Sequence, residues 1–293
     1  MAREIKFGAR KVGDGHPTYV VAELGINHNG DMNIAKKLID AAAHAGADAV
    51  KFQKRTPDIA TPPEQQKKMR ETPWGYITYL EYRYRVEFGE EQYCEIDRYC
   101  KEKKIDWMVS VWDEPSVDFM ETFVTPAYKI PSASLTDHNL LKYVRKTDKS
   151  VIISSGMSTM EQIKRAVEAV GEDNLVLMHS TSSYPCKPEE LNLKMIGTLR
   201  QEFPGIPIGY SGHEVGLVPS AIAVALGACL VERHITMDRA MWGSDQAASV
   251  EPLGFERLVK YIRLTEASLG DGVKRVYESE KTAMRKLRRV VNE

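Results

Sequence analysis

Eight short apolar runs alternate along the chain with longer stretches of helical periodicity. The runs are residues 18–24, 48–53, 106–112, 127–131, 150–156, 174–180, 206–212 and 229–236. They are rich in β-branched residues and almost continuously hydrophobic, which is typical of parallel strands buried on both faces. Strands that alternate with helices in this number predict a closed α/β (β/α)8 barrel, and 293 residues is an ordinary length for that fold.

A doubly wound open sheet is the competing architecture, but the chain has no GxGxxG turn after a strand, and eight units favour closure. We therefore expect one barrel domain over residues 1–293, with a small hairpin in residues 1–17 that closes the bottom of the barrel. Residues 54–90 are too long for an ordinary loop between a strand and a helix. Since barrel active sites lie on the loops after the strands, we expect this insertion to cover the site. The alternative is a surface decoration.

Composition excludes several classes of partner. The chain is 43% hydrophobic and 28% charged with a net charge of −1, so neither nucleic acid nor a membrane surface is an expected partner. No apolar run approaches the roughly 20 residues that span a bilayer, and the first residues do not resemble a signal peptide. Four cysteines without CxxC spacing indicate reduced thiols and a cytoplasmic protein.

Polar side chains stand at the carboxyl end of every predicted strand, which is where barrel enzymes carry their chemistry. They are Glu23, Lys51, Ser110, Lys129 with Ser132, Ser154 with Ser155, His179 with Thr181, Ser211 with His213, and Glu232 with His234. Any one of these residues is explained equally well as an ordinary polar residue with its hydrogen bonds satisfied. A full ring of them predicts a functional rim.

Two kinds of chemistry follow from that ring. Lys51 and Lys129 with nearby serines predict a pocket for a small di- or trianion, although a Schiff-base role for a lysine is a rival interpretation. His213 and His234 end neighbouring strands and are either core histidines or ligands of one divalent ion. Glu23 and Asp245 near the same mouth favour the metal, and the mixture of imidazole and oxygen suits Mn²⁺ or Mg²⁺.

Several motifs together resemble the sialic acid (nonulosonate) synthases from about Val20 to Leu264. They are AELGINHNGD, VKFQK, AYKIPSAS, VIISSGMST, STSSYPCKPEELNL, IPIGYSGHEVG, LVERHIT and WGSDQAASVEP. The resemblance implies condensation of phosphoenolpyruvate with a mannose-type aldose, with C–O cleavage and release of phosphate. The stretches around FPGIPIGYSGHEVG and GSDQAASVEP are most similar to the animal-type members, which use a 6-phosphorylated sugar.

The resemblance also implies roles for individual residues. Phosphoenolpyruvate would be held by Lys51, Lys129, Ser132, Ser154 and Ser211. Glu23 would lie beside the reacting enol, His213 and His234 would bind the metal, Asp245 would serve both catalysis and the acceptor sugar, and Tyr184 would lie near the acceptor. Ser134 stands where many relatives have an acceptor-binding glutamate.

The acceptor is left open by the sequence. Relatives usually continue into a C-terminal antifreeze-like domain that reaches over the partner's site, and we expect none in residues 1–293, so a homodimer would form through the barrel. Mannose 6-phosphate and N-acetylmannosamine 6-phosphate are the favoured acceptors, ahead of unphosphorylated N-acetylmannosamine. Basic residues of the insertion are candidates for a distal phosphate site, or simply form a solvated face: Lys54, Arg55, Lys67, Lys68, Arg70, Arg83 and Arg85. A synthase for a shorter sugar and a catalytically inactive relative are the remaining alternatives.

Overall fold

The computed structural model describes residues 3–290, and the predicted domain limits at residues 1–2 and 291–293 lie outside this range. Its strands are β1 (Glu4–Phe7), β2 (Arg10–Gly13), β3 (Tyr19–Gly25), β4 (Ala49–Lys54), β5 (Met69–Thr72), β6 (Gly75–Thr78), β7 (Asp106–Val111), β8 (Ala127–Ile130), β9 (Ser150–Ser154), β10 (Leu175–Ser180), β11 (Ile208–Gly212) and β12 (Leu230–His234).

Outside the insertion and the two ends of the chain, the α-helices alternate with the strands. They are α1 (Met32–Ala45), α2 (Pro57–Ala60), α3 (Pro63–Gln66), α4 (Tyr79–Val86), α5 (Glu90–Lys103), α6 (Glu114–Met120), α7 (His138–Arg145), α8 (Met160–Val170), α9 (Met195–Glu202), α10 (Val218–Ala225), α11 (Pro252–Leu269) and α12 (Lys281–Leu287).

Eight parallel strands close into a barrel, which confirms the predicted (β/α)8 fold. Around the barrel the order is β3, β4, β7, β8, β9, β10, β11 and β12, and β12 pairs back onto β3 with His234 opposite Glu23. The strand bounds differ from the predicted runs by one or two residues at an end. At β11 the strand begins at Ile208, because the proline before it has no N–H for the ladder.

Helix ends follow the capping chemistry of the sequence. The Asp31 side chain accepts hydrogen bonds at the start of α1, and Gly46 ends that helix with a left-handed φ of 81°. Thr159 and Gln162 form a capping box at the start of α8. These caps fix where each helix begins after its strand, and hence the length of the loops at the barrel mouth.

The interior of the barrel has an apolar lower layer. Side chains two residues apart on a strand share a face, and the inward positions of this layer are Val21, Ala49, Met108, Ala127, Ile152, Val176 and Leu230. Ile5, Phe7 and Val12 of the β1–β2 hairpin join the same cluster from below. The Ser150 hydroxyl donates to the Lys6 carbonyl at 2.7 Å, which attaches the hairpin to β9. The predicted hairpin cap is therefore confirmed.

The insertion after β4 forms a small subdomain. Helices α2 and α3, the antiparallel β5–β6 hairpin and helix α4 follow one another before α5. Tyr82 and Val86 of α4 pack with Ile26, and Trp74 and Trp242 contact this cluster. Since Ile26 and Trp242 follow β3 and β12, the insertion lies at the carboxyl ends of the strands, where the sequence placed it.

The rest of the chain adds two facts. None of the helices in the described part of the chain is long and apolar enough to cross a membrane. All four cysteine thiols are free, and only Cys94 is exposed.

One close backbone contact ties the insertion to the barrel and gives a stability prediction. Gly30 has a φ of 75°, and a Cβ there would lie 2.2 Å from the Arg85 carbonyl oxygen. Gly30→Ala should lower the free energy of unfolding by about 2–4 kcal/mol through backbone strain and the clash. Gly8→Ala is the matched control, because Gly8 has a φ of 57° but nothing within 4 Å, and it should cost about 1 kcal/mol.

Urea unfolding of both variants measures the difference. Equal destabilisation of the Gly30→Ala and Gly8→Ala variants would show that the insertion does not pack closely against Gly30.

Candidate active site

An open cavity lies at the carboxyl ends of the barrel strands. Most of the predicted site residues line it: Glu23, Lys51, Lys129, Ser132, Ser154, Tyr184, Ser211, His213 and His234. Six of the strands contribute a polar residue two positions after an apolar inward residue, for example Lys51 after Ala49 and Lys129 after Ala127. The cavity is thus the polar upper layer of the barrel interior, directly above the apolar layer.

Two buried lysines and two buried glutamates form the floor of the cavity. The Lys51 ammonium lies 2.7 Å from Glu23 Oε2 and 3.7 Å from Glu232 Oε1. The Lys129 ammonium donates to both oxygens of Glu232 at 2.9 Å. All four side chains are at most 5% exposed. We call these four residues the lysine–glutamate cluster, and its formal charges balance.

The two lysines keep Glu232 ionised. Burial opposes ionisation of Glu232, but the ammonium groups of Lys129 and Lys51 outweigh it and hold the pKa of this carboxyl well below its usual range. Burial lowers the pKa of Lys129, and Lys51 adds to that shift, whereas Glu232 opposes it. Further donors complete the arrangement: Lys51 donates to Ser110 Oγ at 2.6 Å and Ser211 Oγ donates to Glu232 at 3.2 Å.

Hydroxyl and indole groups around the cluster retain unused hydrogen-bonding capacity. Within residues 3–290, the buried Ser154 Oγ and Trp112 Nε1 have no hydrogen-bond partner. Ser132 Oγ accepts from the Gly156 N–H at 3.1 Å and lies 3.2 Å from Ser180 Oγ. A buried donor without a partner is costly, so these groups favour a polar ligand in the cavity.

His213 is held as a neutral imidazole with one nitrogen facing the cavity. Its Nδ1 lies 2.8 Å from the Thr181 carbonyl oxygen, which can only accept, so Nδ1 carries the proton. Tyr184 OH therefore donates to Nε2 at 2.9 Å. Burial, with His234 close by, lowers the pKa of His213 to about 3. Burial raises the pKa of Tyr184, with Asp245 the next cause, so the phenol keeps its proton.

His234 lies beside His213 and brings a second nitrogen. The two rings are 5.5 Å apart between centroids. His234 Nδ1 is buried without a hydrogen-bond partner among the described residues, and Asp245 Oδ2 is 3.7 Å away. Asp245 Oδ2 and Glu23 Oε1 each lie 3.4 Å from the place where a Cβ on Gly25 would be. Asp245 is thus at the edge of the cavity, between the histidines and Glu23.

The donor set fits a divalent ion with few protein ligands. No group of three or more His, Cys, Asp or Glu side chains within the described range is arranged to hold a metal. Two imidazoles, one of them fixed by a carbonyl as metal-bound histidines usually are, and a nearby carboxylate remain. Such a site would leave most coordination positions to water and substrate, as catalytic metal sites do.

A buried ion pair joins the two residues that neighbour His213 and His234 in the sequence. Arg233 Nη1 donates to Glu214 Oε1 at 2.7 Å, and both side chains are 1% exposed. Tyr210 OH donates to the other oxygen of Glu214, also at 2.7 Å. Since Glu214 follows His213 and Arg233 precedes His234, this pair fixes the two strand ends relative to each other.

One of the predicted site residues does not line the cavity, and some residues of the site were not predicted. Ser134 is buried in a short 3-10 turn after β8 and does not line the cavity, whereas Ser132 and Ala133 of the same turn do. Glu232 was noted as polar, but its contact with both lysines was not foreseen, and Gln53 was missed. Gln53 donates to Glu23 at 2.9 Å. Strand alternation was the available signal, because Gln53 follows Lys51 by two residues and Glu232 precedes His234 by two.

Several known proteins are similar to this chain in sequence or in structure. The human "N-acetylneuraminate-9-phosphate synthase" is 39% identical over 286 residues, which are 95% of this chain and 78% of that protein. The Legionella pneumophila "N,N'-diacetyllegionaminic acid synthase" is 34% identical over 93% of this chain and 79% of that protein. The crystal structure of a Leptospira borgpetersenii N-acetylneuraminic acid (sialic acid) synthetase, in complex with citrate, superposes with a TM-score of 0.87. It has 30% identity and covers 99% of both chains.

The family model described as "NeuB family" matches residues 38–274, which contain every barrel strand except the first and all of the insertion. With that match and these relatives, the chain belongs to the NeuB family.

Proposed function

We propose that this protein condenses phosphoenolpyruvate with a mannose-type aldose and water, releasing phosphate and a nine-carbon 2-keto-3-deoxy sugar acid. The observation that carries the proposal is the lysine–glutamate cluster beside His213 and His234 in one cavity. The two ammonium groups suit a small phosphorylated carboxylate, and the pair of imidazoles suits a carbonyl oxygen. The names of the human and Legionella relatives, both synthases of such acids, support the same reaction class.

Phosphoenolpyruvate is assigned to the cluster side of the cavity. Lys51 and Lys129 supply cationic donors, and Ser132, Ser154 and Ser211 supply hydroxyls around them. The lysines are neutralised by Glu23 and Glu232 before substrate arrives, so their positions are fixed without an anion present. Both glutamates remain close to the substrate and face the carbon that becomes electron-poor when C3 forms the new carbon–carbon bond.

The later steps follow from this placement. The carboxylates of Glu23 and Glu232 stabilise positive charge that develops at C2 of phosphoenolpyruvate, and either can accept a proton from the water that adds there. The C–O bond to phosphate then breaks, and the ammonium groups of Lys51 and Lys129 stabilise the leaving anion. No lysine forms a Schiff base in this sequence of steps.

The acceptor is assigned to the histidine side. Tyr184, Asp245 and Gln53 surround the position of its aldehyde end and provide hydrogen bonds that orient it. His213 and His234 would hold a divalent ion, Mn²⁺ or Mg²⁺, which when bound polarises the aldehyde oxygen as a Lewis acid. A 6-phosphorylated hexose, mannose 6-phosphate or N-acetylmannosamine 6-phosphate, is the favoured acceptor, consistent with the name of the human relative.

The discriminating experiment is a coupled phosphate-release assay with phosphoenolpyruvate and a panel of aldoses. Mannose, N-acetylmannosamine and their 6-phosphates should include the preferred acceptor, and a 6-phosphate should give the highest kcat/KM. Turnover with arabinose 5-phosphate alone would favour a synthase of shorter sugar acids. No turnover and no phosphoenolpyruvate binding would favour an inactive relative.

The metal assignment predicts loss of both binding and turnover in histidine variants. His213→Ala and His234→Ala should each weaken Mn²⁺ binding, measured by electron paramagnetic resonance of free Mn²⁺, and lower metal-dependent phosphate release at least about 100-fold. His44→Ala is the control, since His44 is exposed on α1. Wild-type Mn²⁺ binding in either active-site variant would overturn the assignment.

The lysine–glutamate cluster predicts that stability and activity can be separated. Lys129→Met leaves Glu232 buried with only Lys51, at 3.7 Å, as a cationic partner, so the free energy of unfolding should fall by about 3–5 kcal/mol. Lys129→Met/Glu232→Gln removes both charges and should regain most of that loss in urea unfolding. Phosphate release should stay at least about 100-fold below wild type in both variants. Near-normal turnover in the double variant would show that Lys129 does not act on the substrate.

A further inference from the structure

A buried arginine lies beside the catalytic cavity without lining it. Arg55 directly follows β4 and is 4% exposed. Its sequence position made it a candidate for a distal phosphate site or a solvated face, and its burial rules out the solvated face. Among residues 3–290 its one carboxylate partner within 4 Å is Glu87, at 3.9 Å, and Glu87 already pairs with Lys54 at 2.9 Å. Neutralising Glu87 does not by itself explain why a group with five N–H donors is buried here.

The first contact of Arg55 fixes the side-chain amide of Gln53. Arg55 Nη2 donates to Gln53 Oε1, and Gln53 Nε2 donates to Glu23 Oε1 at 2.9 Å. A guanidinium can only donate and a carboxylate can only accept, so the amide oxygen faces Arg55 and the amide nitrogen faces Glu23. Since Gln53 lines the cavity, the second N–H of this amide is left for a ligand.

The second contact of Arg55 positions the indole of Trp112. The guanidinium carbon lies 4.3 Å from the centroid of the ring, and this cation–π contact holds the ring in place. Trp112 lines the cavity, and its Nε1 is buried without a hydrogen-bond partner in residues 3–290. An indole N–H can only donate, and a buried donor without a partner is costly. A ligand oxygen at Nε1 would remove that cost.

Both donors lie one layer above the floor of the cavity. Lys51 donates to Ser110 Oγ at 2.6 Å, and this pair lies at the floor, to which phosphoenolpyruvate is assigned. Gln53 follows Lys51 by two residues and Trp112 follows Ser110 by two, so each points the same way as the earlier residue but closer to the mouth. The oxygens that reach these donors therefore belong to the second substrate, which binds above phosphoenolpyruvate.

Arg55 keeps its charge in this position. Burial lowers the pKa of Arg55 to about 10 and Arg83 adds to that shift, whereas Glu87 and Asp245 oppose it. The guanidinium is therefore protonated at neutral pH, and its contact with Gln53 is always that of a donor.

We propose that Arg55 is a positioning residue of the acceptor site, where it holds the Gln53 amide and the Trp112 indole so that each presents an N–H to an oxygen of the aldose. The inference rests on the proposed condensation and adds a specificity element to it. Sugar hydroxyl and carbonyl oxygens can accept from both donors. An apolar or ammonium group at the same place would leave both donors unpaired, and is disfavoured for that reason.

The test compares the effect of Arg55→Met on kcat/KM for the aldose in two backgrounds, with the best substrate among mannose, N-acetylmannosamine and their 6-phosphates. In the wild-type background the loss should be about 10- to 100-fold, mainly through KM for the aldose. Trp112→Phe, which keeps an aromatic ring under Arg55 but removes the N–H, should lose about 3- to 10-fold. In the Gln53→Met/Trp112→Phe background, adding Arg55→Met should change kcat/KM less than about 2-fold, because Arg55 acts only through these two residues.

Two further measurements separate positioning from support of the fold. KM for phosphoenolpyruvate should change less than about 2-fold in Arg55→Met. Arg145→Met is the control for removal of a partly buried guanidinium, since Arg145 Nε donates to the Val170 carbonyl at 2.6 Å outside the cavity. It should lower the urea midpoint and leave kcat/KM unchanged. If Arg55→Met does not fold, Arg55→Lys gives the same comparison, because an ammonium keeps the charge beside Glu87 but lacks the planar group that stacks on Trp112.

The outcomes distinguish this inference from the reaction class. An arginine substitution that costs as much in the Gln53→Met/Trp112→Phe background as in the wild type would overturn the inference, and the condensation would stand. Unchanged kinetics in Arg55→Met, or a rise in KM for phosphoenolpyruvate equal to that for the aldose, would do the same. If the wild-type protein releases no phosphate with any of these sugars, the proposed function itself fails.

Discussion

The ion pairs between two lysines and two glutamates, buried at the mouth of a closed barrel, are the interaction on which the rest of this site depends. Four charges out of water are tolerated only because each lysine has a carboxylate within 2.9 Å. The apolar layer below them and the β1–β2 hairpin exclude water from the other side. That arrangement fixes Lys51 and Lys129 rigidly before any substrate binds, which is the preorganisation that electrostatic catalysis requires.

Because alternate residues of each strand point into the barrel, its interior is built in layers. Apolar residues such as Ala49 and Ala127 occupy the lower layer, and the residues two positions later carry charge, so the same strands form both the core and the site. The insertion packs over the same end of the barrel, where Tyr82 and Val86 of α4 contact Ile26.

The sequence predicted the barrel because eight buried strands leave a strong periodic signal, and it predicted the rim residues because strand ends are easily located. It was harder to predict which side chains contact one another across the barrel. Lys129 was predicted to line an anion pocket with Lys51 and nearby serines. Glu232 also lies against it across the barrel, and no local pattern encodes a contact between residues 103 positions apart. Ser134 was assigned to the acceptor from its place in a motif, yet the 3-10 turn directs Ser132 and Ala133 to the cavity instead.

In the proposed reaction, water adds to C2 of phosphoenolpyruvate between Glu23 and Glu232, and the C–O bond to phosphate then breaks. Phosphoenolpyruvate labelled with ¹⁸O in its bridging oxygen tests this directly when the released phosphate is analysed by ³¹P NMR or mass spectrometry. Cleavage of the C–O bond carries the label into inorganic phosphate. Retention of the label in the sugar acid would mean that the P–O bond breaks, and would contradict the role assigned to the lysine–glutamate cluster.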